Sequence, residues 1–260
     1  MKVDLHNHTP LCNHAEGSAE EYVLEAIKHK TKYFGFSDHA PMDYDPSYRM
    51  RFDQMDEYIE NVLHVREKYK DKINVLLGFE VDYFPNKMDK RVLEAKVDYL
   101  IGSVHFIDDW GFDNPEFIGR YDREDIDAIW QRYFDLIEAM AQTEYFDIVG
   151  HLDLIKVFKY VPKSKKVTEI AYKALVAIKK ADMVIEINVA GYRKPIAQAY
   201  PSKELLEIAY QLEIPITFAS DAHKPEQVAL YTDKAYALAK EVGYTQCATF
   251  RNRKREMITF

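Results

Sequence analysis

Short apolar runs recur along the chain, and each gives way to a polar residue and then to a stretch of helical period. Residues 2–6 read as a first strand ending at His6, and 33–37 as a second ending at Asp38-His39. Residues 73–78 lead to Phe79-Glu80, 97–103 to Val104-His105, and 146–150 to His151. Residues 183–188 form a sixth run, and 214–219 a seventh that ends at Ser220-Asp221-Ala222-His223. Between them the period changes to that of a helix. Ser18, with Glu21 three residues on, predicts a capping box opening the first helix. Asp53 opens a long one in which Tyr58, Ile59, Val62, Leu63 and Val65 share a face. Further helices are predicted over 89–95, 124–141, 167–180, 203–212 and 225–242. The tail, 245–260, carries two apolar patches around the basic stretch 251–255, a pattern that fits a hairpin.

Strands alternating with helices predict a parallel sheet with its helices outside. An open sheet gathers its functional residues at one switch point. A closed barrel gathers them from the C-terminal ends of many strands. Here all seven strands deliver polar residues at their ends, so a barrel is expected. Its 260 residues suit one barrel, and no linker rich in Pro, Gly or Ser divides them. The expectation is a single domain over 1–260.

Composition narrows the function. With 35 basic and 43 acidic residues the net charge is −8, against the basic face that nucleic acids or a membrane surface would need. The two cysteines, Cys12 and Cys247, lie far apart and imply no disulfide framework. No basic-then-apolar leader opens the chain and no apolar run is long enough to span a membrane. A cytoplasmic protein is expected. Cys12 reads as a small buried thiol or, from its position, as a metal ligand.

Nine histidines occur, and His6, His8, His14, His39, His105, His151 and His223 lie at strand ends or in the first loop. Glu80 and Asp221 take equivalent places. One histidine in a loop needs no explanation, but this pattern around a ring does. His6 and His8, two apart, would share one face of a strand. Imidazole and carboxylate suit zinc, iron or manganese, and the shortage of thiolates argues against a purely structural zinc site. Were Glu80 to bridge two ions, the nine groups would serve three ions and leave positions open for water and substrate. Two ions with spare ligands is the alternative. His29 and His64 fall on helix surfaces.

The motifs His6-x-His8, Ser37-Asp38-His39, Gly78-Phe79-Glu80, Ser103-Val104-His105, Gly150-His151 and Ser220-Asp221-Ala222-His223 together resemble the PHP (polymerase and histidinol phosphatase) family. They run nearly the length of the chain. The resemblance implies a distorted seven-stranded TIM-like β/α barrel with a trinuclear metal site at the C-terminal ends of the strands. It assigns His6, His8, Glu80 and Asp221 to one ion, Glu80 with His105 and His151 to a second, and His14, His39 and His223 to a third. It also makes Glu80 and Asp221 catalytic. The three divalent cations would be zinc, iron or manganese.

Residues 106–115, 150–156 and 186–194 resemble the stand-alone histidinol-phosphate phosphatases within that family. Val189-Ala190 and Tyr192 depart from the form common there. The reaction this implies is hydrolysis of L-histidinol phosphate to L-histidinol and phosphate in histidine biosynthesis, with a water activated by the ions as nucleophile. Arg193 and Lys156 would bind the phosphate, the first through a planar fork. Trp110, Phe112 and Tyr192 would wall an imidazole pocket or simply pack. The leaving alkoxide would take its proton from a water at the ions or from Asp221. Competing readings are a PHP phosphoesterase on another small phosphomonoester, a nucleotide or a phosphodiester, an amidohydrolase, and a non-catalytic metal binder. The partners expected are a small phosphomonoester and inorganic phosphate, with no nucleic acid and no membrane.

Overall fold

The strands of the structure, a computed structural model describing residues 2–260, pack apolar side chains against the helices, and their inward faces set Leu76, Tyr99, Ile101 and Val184 among small and polar residues. In chain order the elements are β1 (Val3–Asp4), α1 (Ala19–Lys28), β2 (Tyr33–His39), α2 (Met55–Tyr69), β3 (Asn74–Asp82), α3 (Lys90–Leu93) and β4 (Tyr99–Ser103). A small hairpin of β5 (Phe106–Ile107) and β6 (Trp110–Gly111) follows, then α4 (Ile126–Gln142), β7 (Ile148–Val149), α5 (Val167–Lys180) and β8 (Val184–Asn188). The chain ends with α6 (Lys203–Gln211), β9 (Ile216–Ala219), α7 (Thr232–Val242), β10 (Gln246–Arg251) and β11 (Lys254–Thr259).

Seven strands pair in the order β1-β2-β3-β4-β7-β8-β9, every neighbour parallel. The ring is drawn shut between its ends by backbone bonds. Leu5 N–H donates to the Phe218 carbonyl (3.0 Å), Asp221 N–H to that of His6 (2.7 Å) and His8 N–H to that of Ala222 (2.9 Å). This is the barrel that the strand-end pattern predicts, nearly closed rather than uniformly laddered.

The helices cover its outside with the faces their periods foretell. Along α4, Ile126, Ile129, Trp130, Tyr133, Phe134, Ile137 and Met140 are buried against the sheet and its neighbours. Each such side chain contributes about 1.5–3 kcal/mol. Ser18 caps α1 as expected, its hydroxyl accepting from Glu21 N–H while the Glu21 carboxylate accepts from Ser18 N–H (2.7 Å). Inside the ring, Tyr99 lies across the interior and donates its hydroxyl to the Leu5 carbonyl (2.6 Å). Gly78 makes room for it, since a Cβ there would come within 2.5 Å of the ring.

Several boundaries differ from the sequence reading. β3 continues through Asp82 instead of stopping at Gly78, because its ladder to β4 runs on to Asp82↔Ser103. β7 shrinks to two residues. The last helix starts at Thr232, not at 225. Ala229 and Tyr231 hold left-handed backbones (φ 58° and 63°), and Ala229 N–H donates to the Ser220 hydroxyl.

The tail is a hairpin, β10 and β11 pairing antiparallel from Gln246↔Thr259 to Arg251↔Lys254. Two of its basic residues, Arg253 and Arg255, are paired at the N-terminal end of the barrel. Arg253 pairs with Asp147 and its N–H donates to the Asp98 carbonyl (2.8 Å), while Arg255 pairs with Asp182 (2.8 Å). Those acids stand just before β4, β7 and β8. The hairpin thus covers one end of the barrel and leaves the C-terminal ends of the strands open. No described helix is long and apolar enough to cross a membrane.

Candidate metal centre

The nine residues marked by strand-end position converge in one continuous cluster. Glu80, on the inward face of β3, is its hub. Its carboxylate lies 3.3 Å from His6, 2.9 Å from His39, 2.9 Å from His151, and 3.8 Å from both His8 and His105. Asp221 lies 3.3 Å from His8 and 3.6 Å from His223, and His223 lies 3.0 Å from His14. Donor atoms fall within 4.8 Å of one another in the sets His6, His8 and Glu80; Glu80, His105 and His151; His8, His39 and His223; and Cys12, His14 and His223. The first two echo the groupings read from sequence. In the third, His39 sits with His8 and His223, and His14 with buried Cys12.

A set of carboxylates behind the histidines was not anticipated. His6 Nδ1 donates to Glu186 (2.9 Å), His8 Nδ1 faces Asp38 (3.3 Å), and His105 Nδ1 pairs with Asp82. Asp82 in turn holds Arg49 at 2.6 Å. Such partners fix the tautomer and aim the other ring nitrogen. The missed signal was a charge inside an apolar strand: Glu186 in Val184–Asn188, where position 186 must face inward beside Val184 and Asn188. Glu186 also accepts from His151 N–H (2.8 Å) and the Asn188 amide (2.8 Å).

Backbone strain is held at two site residues. His151 (φ 23°) and Asp221 (φ 50°) are left-handed without being glycine. The Glu186 bond and the Asp221 N–H bond to His6 fix them. Gly150, just before His151, leaves space for the Ser103 hydroxyl, which a Cβ would meet at 2.2 Å. That hydroxyl donates to Glu80 (2.7 Å).

The electrostatics favour cation ligands. Burial works to raise the Glu80 carboxyl, yet His6, His39 and His105 hold it well below the usual carboxylate range. Asp221 behaves alike, burial opposed by His6, His8 and His223. Burial pushes His39 down to about 4. His6 Nε2, His8 Nε2 and His151 Nδ1 are buried without any hydrogen-bond partner, a costly state for a polar atom. His14 and His223 each direct Nδ1 at a backbone carbonyl, of Cys12 (2.9 Å) and of Asp221 (3.2 Å). Their Nε2 lone pairs then face each other at 3.0 Å. Divalent cations satisfy all of these atoms at once, so the residues fit the metals that the donor chemistry implies.

The cluster forms the floor of a cleft of about 730 Å³, within the range of ligand sites. Arg193 lines it, Nη2 donating to the carbonyls of Ser220 (3.0 Å) and Asp221 (2.8 Å) while Nη1 has no partner. Tyr200 also lines it with an unpartnered hydroxyl. Lys156 does not line it. Its ammonium is buried against Asp153 (2.8 Å) and the Ala199 carbonyl (2.8 Å), which corrects the expectation of a charge free for substrate. Trp110 and Phe112 are buried in the core and Tyr192 packs on Tyr231, so none of the three walls the cleft. His29 pairs with Glu25 on the surface and His64 is exposed, as expected.

Glu186→Gln should weaken metal binding ~10–100-fold, the usual effect of losing a ligand's orienting partner. Competition with a chromophoric chelator measures this; unaltered affinity would show that Glu186 serves only the fold.

Residues 4–190 match the family model described as PHP domain. The chain is 38% identical, over 97% of its own length and 98% of the relative's, to a protein of Deinococcus radiodurans named probable histidinol-phosphatase. It is 27% identical to the histidinol-phosphatase of Lactococcus lactis, over 97% of this chain and 96% of that protein. A crystal structure of histidinol phosphate phosphatase from Lactococcus lactis, complexed with zinc, L-histidinol and phosphate, superposes with a TM-score of 0.82 at 26% identity, covering 98% of each chain.

Proposed function

The chain belongs to the PHP domain family, and from that premise we propose that it hydrolyses L-histidinol phosphate to L-histidinol and phosphate. The observation that carries this reading is the buried cluster of histidine and carboxylate donors flooring a cleft that also presents unpartnered phosphate donors. Relatives that cover nearly the whole chain carry the same activity in their names.

Three divalent ions, of zinc, iron or manganese, would be held by His6, His8, His14, His39, Glu80, His105, His151, Asp221 and His223, with Glu80 shared between two. When bound, they supply an activated water and neutralise charge on the phosphoryl oxygens. The residues of the chain do the rest. Glu80 and Asp221 stay ionised and keep the positive charge local. Glu186, Asp38 and Asp82 hold the protons of His6, His8 and His105 on Nδ1. The free Nη1 of Arg193 and the Tyr200 hydroxyl donate to the non-bridging phosphoryl oxygens. The whole of 1–260 acts as one barrel domain in the cytoplasm. Its substrate is a small molecule and not a nucleic acid, in keeping with a net charge of −8.

The test is steady-state kinetics of zinc-, manganese- and iron-reconstituted protein on histidinol phosphate, a nucleoside monophosphate, p-nitrophenyl phosphate and single-stranded DNA. Histidinol phosphate should lead. Preference for another ester by orders of magnitude would defeat the substrate assignment. Arg193→Ala should lower kcat/KM on histidinol phosphate ~10–100-fold, the loss of one charge-assisted hydrogen bond. An effect under ~3-fold would remove Arg193 from phosphate binding.

A further inference from the structure

The cleft also holds a carboxylate that stands outside the histidine cluster. Of the carboxylates that line it, Glu80, Asp82 and Asp221 belong to the histidine cluster, and Asp45 pairs with Arg49 (3.4 Å). Glu116 is exposed on the rim. Asp113 is different. It is half-buried in the cleft and, among the described residues, its carboxylate has neither a hydrogen-bond donor nor a basic partner.

The segment that carries Asp113 is rigid. β5 and β6 pair through Phe106↔Gly111 and Ile107↔Trp110. Trp110 packs edge-on against Tyr121 and its indole N–H donates to the Phe117 carbonyl (3.3 Å). Phe112 is fully buried against Tyr133, and its N–H donates to the His105 carbonyl (3.3 Å). Asn114 N–H returns to Gly111 (3.2 Å). A carboxylate anchored on both sides loses little freedom when it binds. Its field reaches the site: after burial, Asp113 is the next influence that raises the Tyr121 hydroxyl, and it also acts on His105 and Tyr200.

A partly buried anion with no partner is matched by a cation. The unpartnered donors of the cleft, Arg193 Nη1 and Tyr200 OH, suit the opposite charge. We propose that Asp113 is a specificity residue that binds a positively charged amine on the end of the substrate remote from the phosphate. The enzyme then selects phosphomonoesters that carry an ammonium or imidazolium group over those with a neutral tail. This inference rests on the phosphatase reading and names the group by which that site chooses its substrate.

Asp113→Asn keeps the shape and removes the charge. With metal content matched, the ratio of kcat/KM on histidinol phosphate to that on p-nitrophenyl phosphate should fall ~10–100-fold, mainly through KM, the effect of losing one hydrogen bond to a charged group. Asp113→Glu should recover part of the ratio. An equal fall on both esters, or an unchanged ratio, would overturn the role of Asp113 and leave the phosphatase reading standing. Failure of the wild-type protein to hydrolyse either ester would overturn that reading and the inference with it.

Discussion

Glu80→Gln is expected to lower phosphatase turnover about 10³-fold, beyond the ~10–100-fold typical of a residue one step removed from a metal. The exchange is nearly isosteric, so packing inside the barrel survives. What is lost is the one charge that His6, His8, His39, His105 and His151 all approach within 3.8 Å. At least one equivalent of bound metal should disappear with it, as elemental analysis of the purified variant would show. A variant with full metal content and turnover within ~10-fold of wild type would remove Glu80 from its bridging place. The Ser103 hydroxyl, which donates to Glu80, can still bond to the amide oxygen of glutamine. A fall in activity therefore reports lost charge and not a broken local network.

Stripping the metals should have the second large effect. Exhaustive chelation is expected to abolish hydrolysis, and adding back zinc or manganese to restore it. The same treatment should lower the melting temperature. Three buried ring nitrogens lack partners, and two others face each other at 3.0 Å, so the donor cluster strains the chain until cations neutralise it. Ligands that bind only the folded state add about 4 kcal/mol at a thousandfold excess over Kd. For a chain of this size that is a shift on the order of 10 °C. Calorimetry with and without metal measures it. A chelated protein that keeps its activity and its melting temperature would overturn the metal reading.

The barrel and its ring of donors were legible because both are periodic. A strand end repeats a residue type at a place set by topology, so His39, His105 and His151 declare themselves in the chain. What lies behind them does not repeat. Asp38 and Asp82 look like ordinary strand-end polar residues, and Glu186 is marked only by standing in an apolar run. Lys156 was misjudged for the opposite reason. Position after a strand placed it near the site, but the buried carboxylate of Asp153, one turn earlier in the chain, captures its charge. Trp110 and Phe112 were aromatic enough to suggest a pocket wall. They are buried beneath the loop instead, and the residue they hold in place, Asp113, carries the recognition. The late start of the last helix was hidden as well, because left-handed backbones at Ala229 and Tyr231 leave no mark in those residue types.

The seam between β1 and β9 bears on how the protein comes to exist at all. His6 and His8 leave the ribosome long before Asp221 and His223. Asp4 holds Ser220 through both its N–H (2.9 Å) and its hydroxyl (2.6 Å). A two-residue strand has little to hold it before that partner arrives. Contacts so distant in sequence form late and slowly. The nascent chain therefore cannot gather a full complement of ions until β9 and the residues just after it are made. Truncation before that strand would leave a polypeptide with most of its ligands and no competent site.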